Sequence, residues 1–153
     1  MPNKTIIEED LILLGFSAKN KEELLTALSQ RLLEKGYVVP DYTDAVLARE
    51  KQYPTGLQIG PIGVAIPHTD SKYVKQTKIA VCVPDQPVTF ELMGEDSGTV
   101  DADMVFLLAI NNSEDHLKFL QQLMAVFQNQ PLLSQLKETK DKQNFVKVLG
   151  ENL

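Results

Sequence analysis

Seven apolar residues in a row, 104–110 (MVFLLAI), constrain the fold of this chain more than any other feature. The run is far too short to span a bilayer, which takes about 20 residues. A strand sends alternate side chains to opposite faces, so an unbroken apolar strand must be covered above and below. The rest of the chain must therefore supply layers for both faces of a sheet.

The helical patterns meet that demand. Residues 20–35 read as an amphipathic helix. Asn20 can cap it, Glu23 stands at capping-box spacing, and Leu24, Leu25, Leu28 and Leu32 form one stripe. Gly36 ends it. A second helix is expected over 43–52, with Val46 and Leu47 inward and Pro54 and Gly56 stopping it. Arg49 then sits in its last turn. Ser113 is expected to open a long helix to about Gln128 that buries Leu117, Leu120, Met124 and Phe127. Pro131 breaks it, and short helices near 132–137 and 141–149 follow. Further strands are expected at 62–66, 77–83 and 88–91, the last two joined as an antiparallel hairpin through Pro84-Asp85-Gln86-Pro87. The expectation is a single α/β domain over 1–153, a sandwich with a mixed sheet flanked by helices.

Composition narrows the function. A chain of 153 residues can bury a core without staples, and a single cysteine, Cys82, cannot form an intramolecular disulfide. Cys82 lies in an apolar strand and reads as a core thiol. The net charge of −6 opposes nonspecific nucleic-acid binding, which needs a cationic surface. Residues 1–10 are polar and acidic, unlike a signal peptide, so a cytoplasmic location without membrane insertion is expected. No phosphate-binding loop, dinucleotide fingerprint or serine-nucleophile elbow occurs, so no cofactor is expected. The acidic stretch 91–103, with Glu95, Asp96, Asp101 and Asp103, lacks the spacing of a calcium loop and reads as solvated loop, with no metal expected.

Three places can carry chemistry. In GVAIPHTD (63–70), His68 follows a buried strand and a proline that stiffens the backbone leading into it. It is either an aimed imidazole or an ordinary loop histidine. In AREKQYPTG (48–56), Arg49 offers the planar fork that suits phosphate, or it is a surface arginine paired with Glu50 or Glu95. In NNSEDHL (111–117), capping by Ser113 would put His116 at the third helical position, where helix polarity disfavours imidazolium and favours phosphate. The alternative is a polar first-turn residue facing solvent.

Taken together, Ala48-Arg49-Glu50, Pro54-Thr55-Gly56 and Gly63-Val64-Ala65-Ile66-Pro67-His68 resemble the signature of the fructose/mannitol-type IIA components of the phosphoenolpyruvate-dependent sugar phosphotransferase system. The resemblance runs from about Asn20 to Leu149. Tyr53-Pro54-Thr55-Gly56 most resembles the galactitol-type branch. The resemblance implies a mannitol-type IIA fold and a phosphohistidine carrier. His68 would take a phosphoryl group from the phosphocarrier HPr, on Nε2. It would pass that group to the cysteine of a IIB component, which serves a membrane IIC component. Arg49 would match the phosphate-stabilising arginine. His116 would match the second histidine of the mannitol and fructose branches, which galactitol-type members can lack. Thr69 stands where many relatives have glycine. A backbone carbonyl or Asp70 could orient Nδ1 of His68. A regulatory IIA-like phosphoprotein and a non-catalytic binding module remain the rival readings.

Overall fold

The computed structural model describes residues 6–94 and 98–153. Its main sheet has five strands in the order β1-β4-β7-β3-β2. They are β1 (Ile12–Phe16), β2 (Gly56–Ile59), β3 (Ile62–Ala65), β4 (Lys78–Pro84) and β7 (Met104–Ala109). The pairs β1/β4 and β3/β7 are parallel, whereas β2/β3 and β4/β7 are antiparallel, so the sheet is mixed as expected. A separate antiparallel pair, β5 (Val88–Glu91) and β6 (Thr99–Ala102), forms a second small sheet.

Strand β7 lies in the middle and is buried throughout. Its alternate side chains enter two different cores. Met104, Phe106, Leu108 and the following Ile110 pack with Phe119, Leu123 and Phe127 of helix α3 (Ser113–Gln128). The same core includes Leu133 and Leu136 of α4 (Gln130–Glu138) and Phe145 and Leu149 of α5 (Lys142–Gly150). Val105, Leu107 and Ala109 face the other way, toward Leu24, Leu25, Leu28 and Leu32 of α1 (Lys21–Glu34) and Tyr42 and Val46 of α2 (Tyr42–Gln52). Each large aliphatic or aromatic side chain so buried contributes about 1.5–3 kcal/mol relative to exposure. The two-sided demand of the apolar run is met by two helical layers.

Several expectations need correction. The 77–83 and 88–91 segments do not form a hairpin: β4 pairs with β1 and β7, and β5 turns to β6. The Pro-rich link between β4 and β5 carries the chain out of the main sheet. The stretch read as acidic loop contains β6, whose Val100 and Ala102 are buried while Thr99 and Asp101 face out. Glu95 and Asp96 lie outside the described residues. Strands β1 and β2 were not anticipated. Leu47 is only half-buried, the inner face of α2 being Tyr42, Val46 and Glu50 at four-residue spacing. The α3 stripe is shifted as well: Phe119, Leu123, Val126 and Phe127 are buried, Leu120 and Met124 are partly so, and Leu117 is 58% exposed.

Two glycines let the small sheet lie against β2 and β3. A Cβ on Gly56 would stand 2.6 Å from the Glu91 carbonyl oxygen and 2.7 Å from Val100 Cγ1. A Cβ on Gly63 would collide with the Asp101 carbonyl oxygen. Asp103 then stitches the sheets together: its N–H donates to the Gly63 carbonyl at 2.7 Å, and its carboxylate accepts from Gly63 N–H at 3.0 Å. Among the described residues, no helix is long and apolar enough to cross a membrane.

Candidate active site

The sheet delivers His68 to the end of β7. Past β3 the chain stays extended, and Leu108 N–H of β7 donates to the Pro67 carbonyl at 3.0 Å. His68 therefore leaves the core from a pinned position. Its Nδ1 lies 2.9 Å from the Ile66 carbonyl oxygen. A carbonyl can only accept, so Nδ1 carries the proton and Nε2 keeps the lone pair. Of the two orienting groups considered, it is the backbone carbonyl that holds the ring. Asp70 instead accepts from Lys72 N–H at 2.9 Å, capping the short turn Ser71–Tyr73.

Helix α3 begins just beyond β7. Its cap is Asn112, not Ser113: Asn112 Oδ1 accepts from Asp115 N–H at 2.8 Å. His116 consequently sits one position later than expected, and its own N–H already donates to the Asn112 carbonyl at 3.1 Å. Its contribution to the site is the side chain. The His116 and His68 rings lie 4.6 Å apart between centroids, tilted by 54°.

Helix α2 brings Arg49. At the start of this helix, Tyr42 donates from its hydroxyl to the Leu108 carbonyl at 3.3 Å, tying α2 to the residue that pins Pro67. At its end, Tyr53 N–H closes on the Arg49 carbonyl at 2.7 Å, and the Arg49 guanidinium lies over the Tyr53 ring, 4.3 Å from the centroid. A cation at a helix C-terminus also sits at the favourable end of the helix dipole. Among the described residues, Arg49 pairs with no carboxylate. Glu50, one of the two suggested partners, is turned inward, and Glu95 lies outside the described residues.

Arg49, His68 and His116 thus line one open cleft of about 270 Å³, together with Thr69, Asn112 and Ser113. Helix geometry leaves the first N–H groups of α3 without partners in the helix, and Ser113 brings that terminus to the cleft wall. Both histidines are held below their ordinary pKa. For His68 the main cause is burial, helped by the Arg49 charge and opposed by the Ile66 carbonyl. For His116 burial again leads, followed by the charges of His68 and Arg49. Near neutrality the site therefore presents uncharged imidazole beside a permanent cation. A roomier hollow of about 530 Å³, between Leu14, Asp85 and Lys137, lies at the far end of β4 and carries neither histidine nor arginine. Cys82 is buried, its thiol pushed up to about 12 by that burial and by Asp85, so it is not a nucleophile.

The sequence pattern of the family described as "Phosphoenolpyruvate-dependent sugar phosphotransferase system, EIIA 2" matches residues 5–152. The chain belongs to this family. Among EIIA relatives, it is 31% identical over 136 residues to the galactitol-specific EIIA component of Escherichia coli, covering 87% of this chain and 90% of that protein. It is 34% identical over 152 residues to the mannitol-specific EIICBA component of Vibrio cholerae, covering 97% of this chain but 22% of that longer protein. The fold superposes with a TM-score of 0.76 on the mannitol enzyme IIA of Escherichia coli, solved in complex with phosphorylated enzyme IIB, at 26% identity and with 95% and 99% of the two chains covered. A mixed sheet flanked by helices is common to this EIIA chain and that structure.

Sequence reasoning missed Tyr53 as the support of Arg49, Glu50 as a buried group and Asn112 as the cap. Glu50 was within reach: Tyr42, Val46 and Glu50 recur every four residues on one face of a helix.

Proposed function

We propose that this chain is a phosphohistidine carrier of the sugar phosphotransferase system, with His68 as the acceptor. The observation that carries the reading is the Ile66 carbonyl on Nδ1, which leaves the Nε2 lone pair available in a cleft shared with Arg49 and His116. Nε2 attacks the phosphorus held by HPr, forming a P–N bond as the bond to the donor breaks. The transition state spreads charge over the equatorial oxygens. The Arg49 fork, the His116 ring N–H and the N–H groups of α3 stabilise that charge, and a single preorganised donor of this kind is worth about 3–4 kcal/mol. In the second transfer a IIB cysteine thiolate forms a P–S bond, the P–N bond breaks, and His68 returns to its neutral state with Nδ1 protonated. A membrane IIC component uses the phosphoryl group indirectly, through IIB. On this reading the chain works as one EIIA domain in the cytoplasm, needs no metal or cofactor, and serves a sugar alcohol, galactitol first. The galactitol assignment rests on Tyr53-Pro54-Thr55-Gly56 and on the galactitol-specific relative.

The test is incubation with phosphoenolpyruvate, enzyme I and HPr. Wild type should gain one acid-labile phosphoryl group, and His68→Ala none. Label on the alanine variant at the wild-type level would remove His68 from this role. Offering phosphorylated protein to galactitol and mannitol IIB components in parallel checks the sugar assignment.

A further inference from the structure

The mechanism leaves one buried carboxylate unused. Glu50 is 2% exposed and sits next to Arg49 in sequence, yet it points away from the cleft into the protein. Both of its oxygens are occupied by one residue: Oε2 accepts from Thr55 N–H at 2.8 Å and Oε1 from the Thr55 hydroxyl at 2.7 Å. A carboxylate bound twice by its neighbour five residues on closes the intervening turn as a clamp.

The turn so closed contains Tyr53, whose ring carries the Arg49 guanidinium at 4.3 Å. The same Thr55 accepts at its carbonyl from Ile66 N–H at 3.3 Å. Ile66 in turn presents its carbonyl to His68 Nδ1 at 2.9 Å. Two short chains of contacts therefore leave Thr55, one ending at the cation and the other at the nucleophile. Burial pushes the Glu50 carboxyl up, and the two Thr55 donors pull against that shift. This arrangement gives a buried acid a structural reason to stay.

We propose that Glu50 is a positioning residue for phosphoryl transfer: by clamping Thr55 it fixes the Arg49 guanidinium and the His68 imidazole relative to each other. The inference rests on the phosphohistidine reading and deepens it. Glu50 and Thr55 do not line the cleft. They act through Tyr53 and Ile66, and a displacement of about 1 Å at reacting groups can cost on the order of 100-fold in rate.

The experiment compares Thr55→Val, Thr55→Ser and Tyr53→Leu with wild type in single-turnover transfer from phosphorylated HPr. Valine removes only the hydroxyl from the clamp, serine keeps it, and Tyr53 is 52% exposed, so its replacement spares the core. Thr55→Val and Tyr53→Leu should each lower kcat by roughly 10- to 100-fold with the KM for the phosphodonor within about twofold of wild type. Thr55→Ser should restore most of the rate. In an Arg49→Ala background the further loss from Tyr53→Leu should vanish, because the ring then has no cation to hold. Wild-type kcat in folded Thr55→Val or Tyr53→Leu would overturn the clamp while leaving the carrier reading intact. So would a loss confined to KM, or an undiminished Tyr53→Leu loss in the Arg49→Ala background. A wild-type protein that takes no phosphoryl group would overturn both.

Discussion

Arg49→Lys isolates what the guanidinium does beyond its charge. Lysine keeps the positive charge at the end of α2 but loses two things. One is the flat contact on Tyr53, seen here at 4.3 Å and worth about 0.5–1 kcal/mol at an exposed site. The other is the second donor of the fork, on the carrier reading a charge-assisted hydrogen bond to a phosphoryl oxygen worth about 1.5–3 kcal/mol. The stacking is already present in the resting fold, so the lost fork donor alone sets a floor of about 1.5–3 kcal/mol on what the transition state loses. At about 1.4 kcal/mol per tenfold, kcat should fall by at least roughly 10- to 140-fold. The fold should barely notice. Arg49 is exposed and, among the described residues, holds no carboxylate, so unfolding free energy should fall by no more than the lost stacking, about 1 kcal/mol. Rapid-quench transfer from phosphorylated HPr gives the rate, and urea unfolding gives the stability. A rate within threefold of wild type would refute the assignment of the fork to the phosphoryl group. A rate loss matched by an equal loss of stability would do so too.

His116→Gln keeps a donor in the cleft, so its transfer rate should fall by roughly 10- to 100-fold while incorporation on His68 persists. Incorporation as completely lost as in His68→Ala would mean the two roles are exchanged. Gly63→Ala drives a methyl group into the Asp101 carbonyl and should cost about 1–3 kcal/mol in denaturant unfolding, whereas an unchanged midpoint would mean that the small sheet moves aside freely. Both histidines are held below 6.5 by burial first, so their ring-proton NMR titrations should show midpoints under that value, and midpoints at or above 6.5 would contradict the desolvated site. The linkage has a definite sign. As pH falls through 6.5 the unfolded chain binds protons that the folded chain does not, so stability declines with acidification until the folded values are reached. Arg49→Ala should raise both midpoints, because its charge helps to lower each.

The central strand was legible because seven apolar residues in a row, MVFLLAI, are the length and composition of a strand covered on both faces. The AIPH segment was legible for a similar reason: Pro67 and the buried run before it leave the following histidine at the point where the chain emerges. What escaped were strands whose signals are weak locally. β2 is only four residues long and runs straight into Gly60 and Pro61. β1 is interrupted by Gly15 at φ 73° and a register shift between Leu14 and Phe16. β6 hides in an acidic stretch because only every second residue faces inward. The false hairpin arose because Pro84-Asp85-Gln86-Pro87 has turn chemistry, and turn chemistry does not say which strand the chain will meet next. The cap and the buried stripe on α3 were displaced for separate reasons. Moving the cap from Ser113 to Asn112 moves His116 by one position, and the inward face is set by what the core admits, not by the first apolar residue after the cap.

On the carrier reading, the openness of the cleft around Nε2 has a cost in time. A cleft open to a protein partner is open to water as well, and among the described residues Thr69, Asn112 and Ser113 line it without closing over it. A phosphoryl group parked there would be a charged battery without a cap. Its shelf life is set by how poor a nucleophile water is beside a thiolate, and the faster an acceptor arrives, the less of the charge leaks away.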